Sequence, residues 1–470
     1  MSARNLTSGS IPKLIVVLAL PVLATFILQS MYALADLFFV GRLGGAALAG
    51  LGISLNSFFL ILAVGQAIGT GGLALISQAY GSGAHNQARH VFQQVFWLSL
   101  GVGFVFWLAG WLSAERYVSS FTGDPAVVRE GVAFLSFFTG TFFTSVTIFS
   151  MSFAFRAVGD FVVPTVMMAV SVLLNVALDP LLIFGLGPLP AMGVAGAGLA
   201  TLISQCAAFA GYVYLVTASR WNTLLSLRRP FAWNWPLVGR ILRIGLPSSA
   251  QNLLMMAGLL VMYRFLSPFG ADATAAAGVG FRIVQTAIFP GVAISIAVAS
   301  LVGQNYGARQ YTRVKNALSW GILYVTVVLS AEYAVMAANP RFWAAIFAKE
   351  PPIVALSAQY LLISGAILPL YAPSFIATFG SQGLGKTLAP LATGVVRLSL
   401  ALSATILIDL WIGLTVPLIF WIGTGAGVVE VLCMSGVLAL LWRRVLHLPD
   451  ATAPAHAPPF AAVQPLQAAE

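Results

Sequence analysis

Pro180–Ser219 reads PLLIFGLGPLPAMGVAGAGLATLISQCAAFAGYVYLVTAS, forty residues without one Asp, Glu, Lys or Arg. It holds the end of one apolar span, a short loop and the whole of the next span. The rest of the chain is of the same kind. Of 470 residues, 59% are hydrophobic and 8% charged, where a soluble domain carries about 25% charged residues. Mean hydropathy is +0.94. A water-soluble fold of this size could not cover its surface with so few charges. The sequence therefore specifies a polytopic membrane protein.

A bilayer core takes about 20 apolar residues per helix, and runs of that kind occur twelve times. They cover 14–40, 47–76, 91–113, 132–155, 162–186 and 193–217, then 240–266, 275–302, 317–338, 354–378, 388–411 and 413–442. The first run is too long for a signal-peptide core and lacks a small-residue cleavage site, so it is read as a retained span. Net charge is +10, but the basic residues sit mostly in short loops between spans. They set topology there and exclude nucleic acid as the partner. Fifteen Lys and Arg fall on the side of the N-terminus, against Arg42, Arg116, Arg129, Arg341 and Lys349 on the other. Both termini are accordingly expected in the cytoplasm. Residues 451–470 are rich in Ala and Pro and are expected to be a disordered tail.

The chain repeats itself at a constant offset of 226 in its numbering. Leu20-Pro21 matches Leu246-Pro247, Gly44 matches Gly270, and Gly52 matches Gly278. Gln78, Tyr80 and Gly81 match Gln304, Tyr306 and Gly307, and Gly159 and Pro164 match Gly385 and Pro390. Expected domains are thus a six-helix lobe at 1–217, a cytoplasmic linker at 218–239, a second six-helix lobe at 240–445 and the tail at 446–470. Parallel repeats are typical of alternating-access transporters.

Ionisable groups inside the membrane are costly and so are functional candidates by default. Gln29, Tyr32 and Asp36 are spaced i, i+3, i+7 in span 1 and share a face, with Thr25 one turn earlier. Asn175 and Asp179 share a face of span 5. Pro180 follows and leaves the Val176 carbonyl without its helical donor. Thr201 in span 6 adds a hydroxyl. Counting 1.5 Å per residue from the outer ends, Asp36 lies about 6 Å deep, Asp179 about 10 Å and Thr201 about 12 Å. All can meet in the outer half of the first lobe. At offset 226, Asp36 becomes Met262 and Asp179 becomes Thr405, so the carboxylates are not a repeated structural need. The bland alternatives are a helix cap at Asp36 or pairing of each Asp with an Arg. Arg264, Arg282, Glu332, Arg397, Asp409 and Glu430 in the second half are expected to form mainly structural ion pairs. Met168 and Tyr32 have the soft and aromatic chemistry that suits flat hydrophobic cations.

Other chemistries find no residues. Cys206 and Cys433 lie in apolar spans and make no metal or disulfide framework. His85, His90, His447 and His456 are expected in loops or the tail. No Walker phosphate loop is present, and Gly69-Thr70-Gly71-Gly72 reads as close helix packing. No enzymatic activity and no cofactor are expected.

The residues of these motifs, taken in order, resemble the multidrug and toxic compound extrusion (MATE) family of cation-coupled antiporters. The carriers are Leu20-Pro21, Asp36-Leu-Phe-Phe-Val-Gly, Phe155-Arg156-Ala-Val-Gly-Asp160, Gln78-Ala-Tyr-Gly and its twin Gly303-Gln-Asn-Tyr-Gly. The resemblance covers about residues 10–445. It implies an all-α integral membrane fold of twelve helices in two parallel six-helix repeats. It also implies that Asp36, Asn175, Asp179 and Thr201 bind the coupling H⁺ or Na⁺, with Gln29 and Tyr32 at the same cavity. Pro21 would be the proline about which the first helix bends, and Pro180 is read as a second hinge. The NorM branch carries a carboxylate where this chain has Met255, so the chain looks like the DinF branch.

The expected function is antiport of hydrophobic organic cations, driven by H⁺ in preference to Na⁺. The expected setting is a bacterial or archaeal plasma membrane, with a monomer as the working unit. A lipid flippase using Arg264, Arg282 and Arg397 is the alternative. A channel is a further one.

Overall fold

A computed structural model describes residues 5–185, 190–218, 225–227, 231–446 and 448–450. Tail residues 451–470, His447 and His456, and the linker arginines Arg220, Arg228 and Arg229 lie outside the described residues. Those described form helices joined by short turns, with no strand among them. The helices are α1 Ile11–Gly41, α2 Gly45–Gly81, α3 His85–Ser119, α4 Pro125–Phe138, α5 Gly140–Ala157, α6 Val162–Phe184, α7 Val194–Ala218 and α8 Trp235–Leu266. They continue with α9 Ala271–Ala287, α10 Phe289–Gly307, α11 Tyr311–Ala338, α12 Pro340–Ala345, α13 Pro351–Gly365, α14 Ala372–Leu384, α15 Leu388–Trp411 and α16 Val416–Leu446. Ten are long and apolar enough to cross a membrane, and twelve spans result when the bent pairs α4–α5 and α9–α10 each count as one. The twelve-helix reading of the sequence holds.

Several spans are not the continuous rods that hydropathy suggests. The fourth bends by 51° between α4 and α5, and the eighth by 43° between α9 and α10. The tenth is interrupted between α13 and α14 by a 3₁₀ turn at Leu368–Leu370. The break at Pro290 follows from its missing N–H and its clash with the preceding turn. Its repeat partner is Val64, and α2 runs through without a break. The break at Thr139 recurs at its repeat partner Gly365, the end of α13, so it belongs to the repeat. Two expected hinges, Pro21 and Pro180, lie inside unbroken helices. His85 and His90, expected in a loop, form the opening turns of α3 instead. Polar helical turns extend beyond the apolar run there, which hydropathy does not register.

The repeat is also written in the backbone. Positive φ occurs at Gly44 and Gly270, at Gly159 and Gly385, and at Gly83 and Arg309. Each pair is related by the offset of the sequence repeat. Arg309 is the only non-glycine among the described residues with positive φ. Its conformation is the one its partner Gly83 adopts without steric cost.

The chain divides into two compact units. Among the described residues, one comprises Asn5 and Pro21–Leu246, and the other joins Leu6–Leu20 to residues 247–450. Both divisions fall at a Leu-Pro pair inside a helix, α1 and α8. Proline removes the hydrogen bond to the carbonyl four residues earlier, Val17 in one helix and Arg243 in the other. In the first unit α2 packs on α3, α4 and α5, and α6 on α7. The run Gly69-Thr70-Gly71-Gly72 gives close approach: a Cβ on Gly69 would meet the Phe153 ring at 2.8 Å and one on Gly72 would meet Val95 at 2.8 Å. The opening turns of α8 lie directly on α2, where a Cβ on Gly245 would collide with the Ala67 carbonyl. Gln94 ties down the segment before α8, donating to the Ala232 carbonyl at 2.6 Å and accepting from the Asn234 amide at 3.3 Å.

The second unit packs α10 on α11 and α14, α9 on α13, and α15 on α16. It holds the segment before α1 in the corresponding way. The buried Leu6 amide donates to Gln304 Oε1 at 3.0 Å. The Leu6 carbonyl accepts from Asn305 Nδ2 at 3.1 Å and Arg313 Nη2 at 3.2 Å. Leu6 and Ala232 are repeat partners, so each entering segment is anchored by side-chain amides at the same register.

Candidate cation site

Three helices of the first unit supply the site. α1 carries Tyr32 and Asp36, α6 carries Asn175 and Asp179, and α7 carries Thr201. The i, i+4 spacing on α6 puts Asn175 and Asp179 on its packed face, and both are completely buried. Asp36 and Thr201 are buried as well. Asn175 Nδ2 lies 3.4 Å from Asp179 Oδ1 and 3.5 Å from Thr201 Oγ1. The Asp36 carboxyl is an electrostatic neighbour of Asp179 and Asn175. Thr201 also donates to the Ala197 carbonyl at 3.0 Å. Pro180 continues α6 beyond the pair.

Tyr32 joins the edge of this cluster. It is 9% exposed, and its hydroxyl is 2.9 Å from Ser204 Oγ. Ser204 was not singled out in the sequence. Its position three residues after Thr201 puts it on the same face of α7, and that spacing was the available signal. The other expected residues do not converge here. Gln29 is exposed on α1 and has no hydrogen bond among the described residues. Met168 is half-buried two turns before Asn175 on α6. Thr25, on the expected polar stripe, bonds instead to Thr165 of α6 at 2.9 Å.

The electrostatics of the cluster are one-sided. Asp36 Oδ1, Asn175 Oδ1 and Asp179 Oδ2 are buried and have no hydrogen-bond donor. Neither aspartate is in an ion pair among the described residues, whose two pairs are Arg129–Glu130 and Arg397–Glu430. The alternative that each Asp is neutralised by an Arg is thereby excluded for the described side chains. Buried acceptors without donors are expensive. A group of such oxygens around two facing carboxylates is chemically suited to a proton or a small hard cation. No cluster of His, Cys, Asp and Glu suited to a transition metal occurs among the described residues.

The second half is sparser than the ion-pair expectation. Arg397 pairs with Glu430 at 3.0 Å. Arg264, Arg282 and Asp409 are exposed, and Glu332 has a buried oxygen without a partner. Arg264, Arg282 and Asp409 stand on outward faces of their helices, and hydropathy along the chain does not register helix rotation.

Comparison with known proteins bears on the fold and the family. The MatE family model matches residues 21–181 and again residues 247–407, two stretches related by the offset of the repeat, each beginning at the proline of a Leu-Pro pair. The first stretch contains Asp36, Asn175 and Asp179. The chain is 27% identical over 403 residues to the multidrug export protein MepA of Staphylococcus haemolyticus, covering 83% of this chain and 86% of that one. It is 26% identical over 387 residues to the probable multidrug resistance protein NorM of Thermotoga maritima, covering 81% and 82%. Its fold superposes with a TM-score of 0.86 on the outward-facing conformation of a multidrug resistance MATE family transporter of the MOP superfamily, at 22% identity and 95% and 99% coverage. With well over half its length matched by the family model, the chain belongs to the MatE family of multi-pass membrane transporters.

Proposed function

We propose that this protein is a cation-coupled antiporter that exports hydrophobic organic cations by alternating access. The observation that carries this is the donor-poor cluster of Asp36, Asn175, Asp179 and Thr201, buried within one unit of a MatE-family chain. Two facing carboxylates without a basic partner repel each other when both are ionised. A proton shared between them removes that repulsion with no further ligand, so H⁺ is the preferred coupling ion. The same oxygens make a ligand set for Na⁺. Entry of the ion from outside neutralises the site and releases the drug. Tyr32, Gln29 and Met168 contact the drug, and Pro21 and Pro180 are the bending points. The working unit is a monomer in a bacterial or archaeal plasma membrane, with both termini cytoplasmic, as the arginine and lysine asymmetry supports. The absence of a NorM-type carboxylate at Met255 supports the DinF branch.

The flippase reading finds no support in the described residues. Arg264 and Arg282 are exposed and Arg397 is paired with an acid, so the three do not assemble a basic headgroup site. Transport of a fluorescent organic cation into proteoliposomes tests the proposal under an imposed pH gradient and, separately, an imposed Na⁺ gradient. Transport driven by the pH gradient alone is expected. Transport under Na⁺ alone transfers the site to that ion, and movement under neither gradient sinks the antiport reading.

A further inference from the structure

Arg397 lies deep in the membrane-spanning part of α15, about 13 Å along the helix from its nearer end, Leu388. It stands on the packed face. Pro390, Thr393, Gly394 and Thr405 are the buried positions of α15, and Arg397 follows Gly394 by three residues. Gly394 itself looks onto Leu254 and Gln251 of α8. The guanidinium therefore points into the second unit, away from lipid. Its Nη1 donates to Glu430 Oε2 of α16 at 3.0 Å. Tyr371 interacts electrostatically with the same group, and its hydroxyl stands against Gly427, one turn before Glu430.

The pair is asymmetric. The Glu430 side chain is 10% exposed and that of Arg397 is 37% exposed. Only Nη1 of the guanidinium has a hydrogen-bond partner among the described residues, with Tyr371 and Tyr360 as electrostatic neighbours, so the edge formed by Nε and Nη2 keeps its donors unused. A guanidinium offers a carboxylate two parallel N–H groups along such an edge. The fold does not require these charges. At offset 226, Arg397, Glu430 and Tyr371 become Ser171, Ser204 and Ser145 in the other half, which builds the same helices without them. A buried ion pair adds little net stability over an apolar equivalent, so folding gives no reason for its presence.

We propose that Arg397, oriented by Glu430, is the residue that binds the carboxylate of those transported molecules that carry one beside their positive charge. This rests on the export reading above. A monoanionic planar acid matches the two N–H groups of that edge, whereas a dianion such as a phosphate monoester is repelled about twice as strongly by Glu430. Sites built to hydrogen-bond a polar group discriminate strongly against analogues lacking it, because their own groups are left unpaired.

The test uses a cationic xanthene dye carrying a free benzoate and the methyl ester of the same dye, in the proteoliposome assay. The wild type is expected to carry both. Replacing the pair together, Arg397→Gln with Glu430→Gln, removes both charges without leaving one buried alone. The transport ratio of benzoate to ester is expected to fall about tenfold or more. An unchanged ratio overturns the proposal. So does equal loss of both dyes in a variant that elutes and melts like the wild type, which marks a structural pair. Arg397→Lys keeps a charge but loses the planar fork, and carries the same ratio test if the double variant does not fold. A wild type that carries the ester but not the benzoate refutes the carboxylate site and leaves export intact. Failure to carry even the ester removes the export reading and this proposal with it.

Discussion

At the residue scale, the proposed coupling site is a place where carboxyl and amide oxygens are buried without donors. Asp36 and Asp179 are close neighbours from different helices, with no basic side chain beside them. Asp36→Asn and Asp179→Asn keep volume and shape but remove a charge that, under the proposed coupling, the bound ion needs. A charge-assisted contact contributes roughly 1.5–3 kcal/mol, so each variant should weaken cation coupling by about 10- to 100-fold. Drug transport under the driving gradient is the readout, with thermal stability in detergent as the control. Full transport by both variants would remove the site. Tyr32→Phe deletes only the hydroxyl that meets Ser204. It should leave gradient coupling in place and lower the affinity for a flat cation by a few-fold at most, since the ring face is kept.

Among the elements, α1 and α6 act as a pair. The Pro21 carbonyl accepts from Thr25 Oγ1 at 2.9 Å and from Thr165 Oγ1 at 2.7 Å. Thr165 thus fastens α1 to α6 at the point where the proline weakens α1. At offset 226, Thr25 and Thr165 become Gln251 and Leu391, so α8 lacks this fastening. Thr165→Val is isosteric and removes the tie. One such hydrogen bond contributes about 0.5–1.5 kcal/mol net, so amide hydrogen exchange around Pro21 should quicken by about 2- to 10-fold. Unchanged exchange there would show that helix packing alone holds α1. The breaks in the fourth, eighth and tenth spans make the complementary point. Hydropathy counts apolar residues along the chain and is blind to direction, so it counted these spans correctly and missed their bends.

Across the whole molecule, two helices pass from one compact unit to the other at their Leu-Pro pairs. The opening turns of α8 belong with the first unit because Gly245 and Gly71 allow backbone contact between α8 and α2. Gly245→Leu places a side chain where the Ala67 carbonyl stands, and overpacking of this kind costs about 1–3 kcal/mol. A lowered melting temperature and reduced transport are expected. Gly239→Ala, earlier in the same helix and facing open space, should leave both unchanged. Equal behaviour of the two variants would show that this contact does not hold the unit together.

The amino-acid sequence by itself determined the membrane class, the twelve spans, the internal repeat and the face-sharing of Asn175 with Asp179. These depend on local composition and helical period, which hydrocarbon enforces residue by residue. It also pointed to Asp36 and Thr201, through their shared depth. Only the tertiary structure decided which side chains meet. It brought Ser204 to Tyr32, took Thr25 to Thr165, left Gln29 outside the cluster, and paired Arg397 with Glu430 while leaving Arg264 and Arg282 exposed. The physical reason is that depth in a membrane is fixed by position along a helix. Contact depends instead on each helix's rotation and neighbours, and these are set by the close approach of glycines and by packing across the unit.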